Sequence, residues 1–211
     1  MPGAAAAGAA PKKKSRVASE RDDKARKKFR KLTRAFESGD SIFIDEMGSH
    51  LGLPRPYGRA APGARVPDQV PGDRGGHIST MGAIGRDGIR TGLSVPGAID
   101  GDTMLFFVEE LLVPTLNRGE IVLMDNASIH KRDDIEDALE AAGAGLLFLP
   151  AYSPDLNPIE HAWSKVKARL RALKPRTGPD LLDALVDAFA TITPHDLQGW
   201  FRHCGYQVAL T

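Results

Sequence analysis

The sequence has one cysteine, Cys204, and no long apolar run among its 211 residues. A single cysteine excludes an intramolecular disulfide and a cysteine-based zinc site, and it suits a reducing cytoplasm. Because a membrane-spanning helix needs about 18 or more consecutive apolar residues, no membrane segment is expected. With a hydrophobic fraction of 42% and a charged fraction of 26%, the composition is that of an ordinary globular protein.

The net charge of +1 conceals an asymmetry along the chain. Residues 11–34 hold twelve Lys or Arg against three acids, a net charge of +9, whereas all other positions together carry a net charge of −8. A basic arm beside an acidic body is one signature of nucleic-acid contact, and a solvated polar tail or surface helix explains it equally well. We therefore expect a basic low-complexity arm over 1–40, disordered or helical, and a folded domain over 41–211.

Apolar runs and turn residues predict the order of strands and helices. The first three predicted strands form an antiparallel meander with a hairpin turn at Asp87-Gly88, and later strands are joined by helical crossovers. The predicted fold class is therefore α/β, a mixed five-stranded sheet flanked by helices. Strands are expected over 41–45, 77–84, 89–95, 120–125 and 145–149, and helices over 101–113, 132–142, 158–173, 179–191 and 194–203.

Two acids, Asp45 and Asp125, each end a buried apolar strand. A carboxylate is costly in such a place unless it is paired or bound to metal, so acids at strand ends gather at sheet edges where sites form. A turn or cap role would explain either residue alone, but two acids that end two central strands favour a shared site. Successive strand residues face opposite ways, so only one of Asp45 and Glu46 can face Asp125.

The stretch LPAYSPDLNPIEHAW, residues 149–163, holds prolines at 150, 154 and 158. These prolines prevent the helix that follows from beginning earlier. Asp155 fits a turn in which its carboxylate bonds local backbone amides. Glu160 fits a capping box with Asn157, although the prolines place this turn more tightly than a cap requires.

The helix after this stretch has an apolar stripe and an adjoining polar row. Residues 161–176 hold six Lys or Arg and no acid. An acid at the head of a basic helix suits a phosphodiester enzyme, in which the carboxylate binds metal and the cations bind phosphate. A plain basic surface helix is the alternative. The stripe is Ile159, Trp163, Val166, Leu170 and Leu173, and the row is Glu160, Ser164, Lys167 and Arg171.

The segments IFIDEMG, LMDNASIH and LPAYSPDLNPIEHAWSKVKARLR resemble the catalytic domain of bacterial insertion-sequence transposases related to mariner, which have an RNase H-like (retroviral integrase) fold. The resemblance covers about 41–173 and places the family's three acids on Asp45, Asp125 and Glu160, with the group's spacing of 34 residues between the last two. It implies metal-dependent hydrolysis of phosphodiesters at transposon ends and strand transfer into target DNA.

The resemblance implies that Asp45, Asp125 and Glu160 are both the catalytic residues and the metal ligands. Two Mg²⁺ (or Mn²⁺) ions can activate water and stabilise the leaving oxygen, and Mg²⁺ needs few protein carboxylates because it keeps several waters. Asn126 and His130 match the family's DNxxxH motif and are expected behind the ligands or against DNA, although a loop asparagine and a capping histidine would explain them. The expected phosphate contacts are Lys165, Lys167 and Arg171.

The expected partners are DNA, both transposon ends and target, and a second copy of the chain in a homodimer on DNA. Full-length family members carry helix-turn-helix domains ahead of the core, whereas about 40 residues precede Asp45 here. The expectation is a truncated copy or the product of a split reading frame, partnered by an upstream helix-turn-helix product, on the nucleoid of a bacterial cytoplasm. The alternatives are an RNase H-like nuclease not involved in transposition and an inactive DNA-binding remnant.

Overall fold

Five strands and six helices make up the ordered elements of the computed structural model, which describes residues 18–34, 40–54, 57–67 and 76–208. Each predicted strand and, except for the one over 101–113, each predicted helix is present to within a few residues, and a further helix lies in the basic arm. The strands are β1 (Ser41–Ser49), β2 (Ile78–Ile84), β3 (Ile89–Pro96), β4 (Ile121–Met124) and β5 (Gly145–Phe148). The helices are α1 (Asp23–Thr33), α2 (Gly101–Phe106), α3 (Asp133–Ala141), α4 (Ile159–Leu173), α5 (Gly178–Ala190) and α6 (Pro194–Cys204).

The central strand of the sheet is β1, in the order β3-β2-β1-β4-β5. The β1–β2 and β2–β3 pairs are antiparallel, whereas β4 runs parallel to β1 and β5 runs parallel to β4. The predicted hairpin turn is closed by the Gly85 amide, which donates to the Gly88 carbonyl oxygen at 2.8 Å. The mixed five-stranded sheet is therefore confirmed.

Helices cover both faces of the sheet, and residues two apart along a strand point to the same face. Phe43 of β1 and Leu123 of β4 are buried in a cluster with residues of α4, α5 and α6. Ile44 and Val122 are buried in a second cluster with residues of α2 and α3. Odd-numbered residues of β1 and β4 thus face α4, and even-numbered residues face α2 and α3.

The predicted helix over 101–113 is α-helical only through Phe106. It continues as a π-helical turn, Phe107–Leu112, and ends in a 3₁₀ turn, Val113–Thr115. The π turn closes i to i+5 hydrogen bonds in place of i to i+4, a change that apolar periodicity in the sequence does not reveal. Across the described ranges, no helix is both long and apolar enough to cross a bilayer.

Helix α1 packs on the face of the sheet that α4 covers. Phe29 is buried in the cluster that holds Leu156 and residues of α4, α5 and α6, and Arg26 is buried as well. The basic arm is therefore helical over 23–33, whereas its residues 1–17 and 35–39 lie outside the described part of the chain.

Candidate active site

Asp45 and Asp125 are brought side by side by the parallel pairing of β1 with β4. The ladder pairs Phe43 with Leu123, an offset of 80 residues. The same offset carried two residues further places Asp45 level with Asp125, which directly follows the end of β4. Both aspartates continue the odd-numbered alternation, so both point to the face that α4 covers.

Glu160 reaches the same face from the first turn of α4. The proline-rich segment before the helix closes in a turn, in which the Asn157 amide donates to the Pro154 carbonyl oxygen at 3.0 Å. Helix α4 then begins at Ile159. The late start expected from the prolines is thus confirmed, and it places Glu160 at the head of the helix.

Contact between Trp163 and Gly82 sets the position of α4 on the sheet. A Cβ atom added at Gly82 would lie 2.7 Å from the Trp163 ring, so the absent side chain makes room for the indole. Gly82 pairs with Asp45 in the β1–β2 ladder. The indole therefore anchors the start of α4 at the level of the sheet where Asp45 lies.

Asp45, Asp125 and Glu160 line one cleft of about 400 Å³ at the carboxyl ends of the parallel strands. The structure thus brings together the three acids that the sequence singles out. Asn126, Asn157 and the segment 149–154 form most of the remaining wall.

Hydrogen bonds from the protein hold both aspartates. Asp45 accepts from the Glu46 amide at 2.8 Å and from Asn157 Nδ2 at 3.2 Å, and Asp125 accepts from the Ala127 amide at 2.9 Å. With the side chains so placed, no three His, Cys, Asp or Glu groups in the described ranges converge closely enough to hold one ion. Movement of at least one carboxylate is therefore required before all three share a cation.

Negative charge in this cleft is poorly solvated. Burial raises the pKa of Asp45 to about 7, and repulsion from Glu160, Glu46 and Asp125 adds to the rise. Burial likewise raises the pKa of Glu160, repulsion from Asp125 adds to it, and Lys167 opposes it. A set of oxygen ligands with excess negative charge fits a hard divalent cation such as Mg²⁺ or Mn²⁺.

His130 joins Asp125 to Glu46. Its Nδ1 lies 2.7 Å from Asp125 Oδ1, its Nε2 lies 3.0 Å from Glu46 Oε1, and its side chain is 1% exposed. Burial lowers the pKa of His130, but the hydrogen bonds to the two carboxylates outweigh it and raise that pKa to about 10. The hydrogen bond from His130 also lowers the pKa of Asp125. His130 thus orients Asp125, and its hydrogen bond favours the ionised form of that carboxylate.

Sequence reasoning missed the part that Glu46 takes in this arrangement. Strand alternation correctly predicts that only one of Asp45 and Glu46 faces Asp125, since Glu46 points to the other face of β1. Glu46 nevertheless reaches Asp125 through His130. The available signal was an acid directly after Asp45 combined with a histidine five residues after Asp125.

Asn126 and Lys167 lie close to the three acids. Asn126 is exposed and lines the cleft. Lys167 is close enough to Glu160 to act on the pKa of that carboxylate. Arg171, one turn further along α4, is partly buried.

Lys165 does not fit the predicted phosphate contact. Its Nζ donates to Asp196 Oδ2 at 2.7 Å and to the Thr191 carbonyl oxygen at 2.8 Å, so it ties α4 to the start of α6. Lys165 is thus already engaged by partners within the protein. The apolar stripe of α4 is also shorter than predicted, because Leu173 is 40% exposed.

Asn157 and Glu160 do not form the predicted capping box, which would have given Glu160 a purely structural role. The amide of Glu160 bonds the backbone carbonyl oxygen of Asn157 at 3.2 Å, and the Asn157 side chain turns to Asp45 instead. Asn157 is 3% exposed, and its Oδ1 has no hydrogen-bond partner among the described residues. Asn157 therefore connects the helix that carries Glu160 to the strand that carries Asp45.

Asp155 lies in the expected turn, Pro154–Leu156, but its strongest partners are distant in sequence. Arg26 donates to both carboxylate oxygens of Asp155, at 2.8 and 2.5 Å, and Arg30 Nη2 lies 3.6 Å away. A bidentate, charge-assisted pair is stronger than bonds to neutral amides, and the hydrogen bond from Arg26 lowers the pKa of Asp155. Asp155 thus ties the wall of the cleft to α1.

Tyr152 presents an aromatic ring at the rim of the cleft. Its φ of 54° lies in the left-handed region, which is unusual for a bulky residue. The side chain is 58% exposed and belongs to the cleft wall. Backbone strain beside a cluster of acids is typical of a functional loop.

The family described as DDE superfamily endonuclease matches residues 40–181. The transposable element Tcb2 transposase of Caenorhabditis briggsae is 32% identical over 78 residues, 37% of this chain and 29% of that protein. The Tcb1 transposase of the same organism is 28% identical over 125 residues, 57% of this chain and 45% of that protein. The chain therefore spans less than half the length of these relatives.

Solved structures of Mos1 transposase share the fold. A pre-cleavage Mos1 transpososome superposes with a TM-score of 0.77 at 19% identity, over 93% of this chain and 64% of that chain. Paired-end complexes of Mos1 with Mn and with Mg superpose with TM-scores of 0.77 and 0.73, also at 19% identity, over 93% and 94% of this chain and 64% and 66% of those chains. The RNase H-like sheet expected from the resemblance is thereby confirmed.

Proposed function

Since the chain belongs to the DDE superfamily endonucleases, we propose that it cleaves DNA at the ends of a transposable element and joins the freed 3′ end to target DNA. The observation that carries the proposal is the meeting of Asp45, Asp125 and Glu160 in one cleft. They come from two adjacent parallel strands and the head of a helix, and the strand register alone aligns the first two. The matched proteins named as transposases support the same reading.

Asp45, Asp125 and Glu160 would hold two divalent cations, Mg²⁺ or Mn²⁺. When bound, such ions supply a Lewis acid that activates the attacking oxygen and stabilises the leaving oxygen. Asp45 and Asp125 are the more rigid ligands because Asp45 lies within β1, Asp125 directly follows β4, and both are already hydrogen-bonded. Glu160 is the more mobile one, since it stands on the first turn of a helix. Its movement would complete the set.

Neighbouring side chains prepare the site for anionic DNA. His130 holds Asp125 in the ionised form, and Asn157 orients Asp45. We assign Asn126, Lys167 and Arg171 to contacts with the DNA backbone beside the cut bond. The exposed ring of Tyr152 is suited to stack on a base displaced near that bond, because aromatic side chains bind unstacked bases irrespective of their sequence.

The proposed partners are the transposon end, the target DNA and a second copy of the chain. The matched Mos1 structures are a transpososome and paired-end complexes, which supports a dimer that holds two DNA ends. An upstream helix-turn-helix product would supply recognition of the terminal repeats. Such a protein would act on the nucleoid in the cytoplasm.

The experiment is a nicking assay on supercoiled DNA, with Mg²⁺, with Mn²⁺ or with chelator. We expect metal-dependent nicking that Asp45→Asn, Asp125→Asn and Glu160→Gln each abolish. Asp137→Asn, which removes an exposed carboxylate from α3, is the matched control and keeps full activity. Nicking that survives Asp125→Asn would overturn the proposed centre.

Joining distinguishes a transposase from a nuclease. The substrate is a duplex that carries the element's own pre-cut 3′ end, incubated with a target plasmid and any upstream product of the same element. We expect covalent products that contain both DNAs and that depend on the three acids. Acid-dependent nicking without joining on these substrates would instead identify a nuclease that is not involved in transposition.

A further inference from the structure

Helix α1 carries a strongly cationic surface that the proposed reaction does not use. Asp22 caps the helix and Asp23 lies 2.9 Å from Arg21, so the acids of this segment are engaged near its start. The remainder of the exposed surface is basic. Its exposed cations are Lys24, Lys27, Lys28, Arg30, Lys31 and Arg34.

These cations lie on one side of the helix, and the residues that attach it lie on the other. At about 100° per residue, Lys24, Lys27, Lys28, Lys31 and Arg34 fall within an arc of about 120°. We call these five residues the α1 cationic face. Arg26 and Phe29 fall opposite, where Arg26 bonds Asp155 and Phe29 enters the core. The rotation of α1 about its axis thus directs the α1 cationic face away from the protein core.

The α1 cationic face has no acidic counterpart in the described part of the chain. None of its five side chains makes an ion pair there, whereas Arg21, Arg26 and Arg30 all do. Like charges three and four residues apart repel one another on a helix. A face of this kind is therefore suited to a ligand with closely spaced negative charges.

The α1 cationic face lines a groove that reaches the wall of the catalytic cleft. A groove of about 1110 Å³ runs along α1, and its lining consists of eight Lys or Arg and two Asp. One of these two is Asp155, whereas Pro154, its neighbour in sequence, lines the cleft. The groove and the cleft are thus lined by adjacent residues of one segment, 154–155.

We propose that the α1 cationic face binds the phosphate backbone of duplex DNA that runs into the catalytic cleft. This inference rests on the proposed function, since it takes the duplex to be the substrate of the neighbouring acids. Regularly spaced phosphates complement five cations on an arc of helix, and their binding releases condensed counterions. The Arg26–Asp155 pair fixes the distance between this contact and the cleft.

The test is the salt dependence of DNA binding by the full chain. Binding would be measured by fluorescence anisotropy in the presence of chelator, with a mixed-sequence duplex of about 30 base pairs, at salt concentrations between roughly 50 and 200 mM. Phosphate contacts are lost over this range. We expect Lys27→Gln/Lys31→Gln to lower the slope of log K against log salt by about 2. At 0.1 M salt we expect a loss of affinity of roughly tenfold or more. Lys24→Gln/Lys28→Gln, on the other half of the face, should act in the same way.

The matched control is Arg86→Gln/Arg118→Gln. It removes the same charge from loops at the opposite end of the sheet, before β3 and before β4, and should leave the slope near that of the parent chain. Glutamine preserves helix propensity, and a thermal unfolding curve verifies the fold of each variant. A slope unchanged by either α1 variant, or lowered equally by the control, would overturn the proposal. So would α1 variants that change the oligomeric state while DNA affinity stays constant, because the face would then bind protein.

The two proposals fail in different ways. Metal-dependent nicking that requires Asp125, combined with an unchanged salt slope, would refute the α1 cationic face alone. A lowered slope without any metal-dependent nicking would refute the proposed reaction and leave α1 as a DNA-binding surface.

Discussion

Glu46 and His130 form a buried contact, 3.0 Å between Oε1 and Nε2, from the face of β1 that Asp45 does not use. The other nitrogen of the same imidazole holds Asp125. Asp45 and Glu46, neighbours on one strand, thus serve the site from opposite faces of the sheet. Asp45 lines the cleft, and Glu46 fixes the orientation of Asp125 through His130.

The first prediction concerns this support of Asp125. Glu46→Ala should weaken Mn²⁺ binding and reduce kcat by about 10- to 100-fold, the usual cost of losing a residue that orients a metal ligand. Glu46→Gln, which keeps an acceptor for His130, should lose less. Calorimetric titration of Mn²⁺ and nicking kinetics are the measurements. Glu110→Gln, at an exposed position of the π turn, is the control, and equal effects of Glu46→Ala and Glu110→Gln would contradict the assignment.

The second prediction separates stability from activity at Asn157. Replacement by Ala removes one hydrogen bond to Asp45 but also removes the unpaired Oδ1, and an unpaired buried acceptor costs about 1–3 kcal/mol. The free energy of unfolding should therefore change by less than about 1 kcal/mol, while metal affinity and kcat fall. Denaturant unfolding and Mn²⁺ titration measure the two quantities. A variant that loses stability and keeps its metal affinity would show that Asn157 is purely structural.

The third prediction tests the contact that positions α4. Gly82→Ala would place a methyl group 2.7 Å from the Trp163 ring, and overpacking of this kind costs about 1–3 kcal/mol. Because the indole anchors the helix that carries Glu160, nicking should fall along with stability. Gly92→Ala is the matched control, since Gly92 pairs with Gly82 in the ladder and a Cβ there meets nothing closer than 3.4 Å. Nicking by Gly82→Ala at the parent rate would disprove the positioning role.

The fourth prediction concerns the pH dependence of the Arg26–Asp155 pair. Asp155→Asn should reduce the free energy of unfolding by about 1–3 kcal/mol near pH 7, because it leaves the guanidinium of a buried arginine without its carboxylate. Arg26 and Arg30 of α1 face Asp155, as do Cys204 and Tyr206, whose pKa values are both raised chiefly by burial.

Since the pKa of Asp155 is lowered in the folded state, its stabilising effect is complete above the ordinary aspartate pKa of about 3.9 and is lost as the pH falls through the lower folded value. The difference between the parent chain and Asp155→Asn should therefore be constant from neutral pH down to about pH 5 and shrink below about pH 4. Urea unfolding at several pH values measures it. A difference that grows towards low pH would contradict this account.

The sequence pattern within each segment was enough to predict the features that depend on neighbouring residues, namely the strands and the start of α4. Alternation and apolar runs were enough to predict the five strands and to align Asp45 with Asp125, because β1 and β4 bury the same face. The prolines were enough to predict the late start of α4 and hence the place of Glu160.

Partners distant in sequence were not predictable in this way. Asp155 pairs with Arg26, 129 residues earlier, and Lys165 with Asp196, 31 residues later. The local sequence predicted a turn residue at Asp155 and a surface cation at Lys165. Only the docking of α1 and α6 decides their contacts. Glu46 was overlooked for the same reason, since its link to Asp125 passes through a third residue.

The pairing of β1 with β4 has a consequence for how this domain can vary. The ladder, and not the length of chain between them, holds Asp45 beside Asp125, so the loop around 98–99, between β3 and α2, can gain or lose residues without disturbing the acids. A single residue inserted within β4 would instead turn Asp125 to the opposite face and force apolar side chains of β4 from one buried cluster into the other. Such an insertion would disrupt packing and abolish activity together, whereas a change of length in that loop would be tolerated by both.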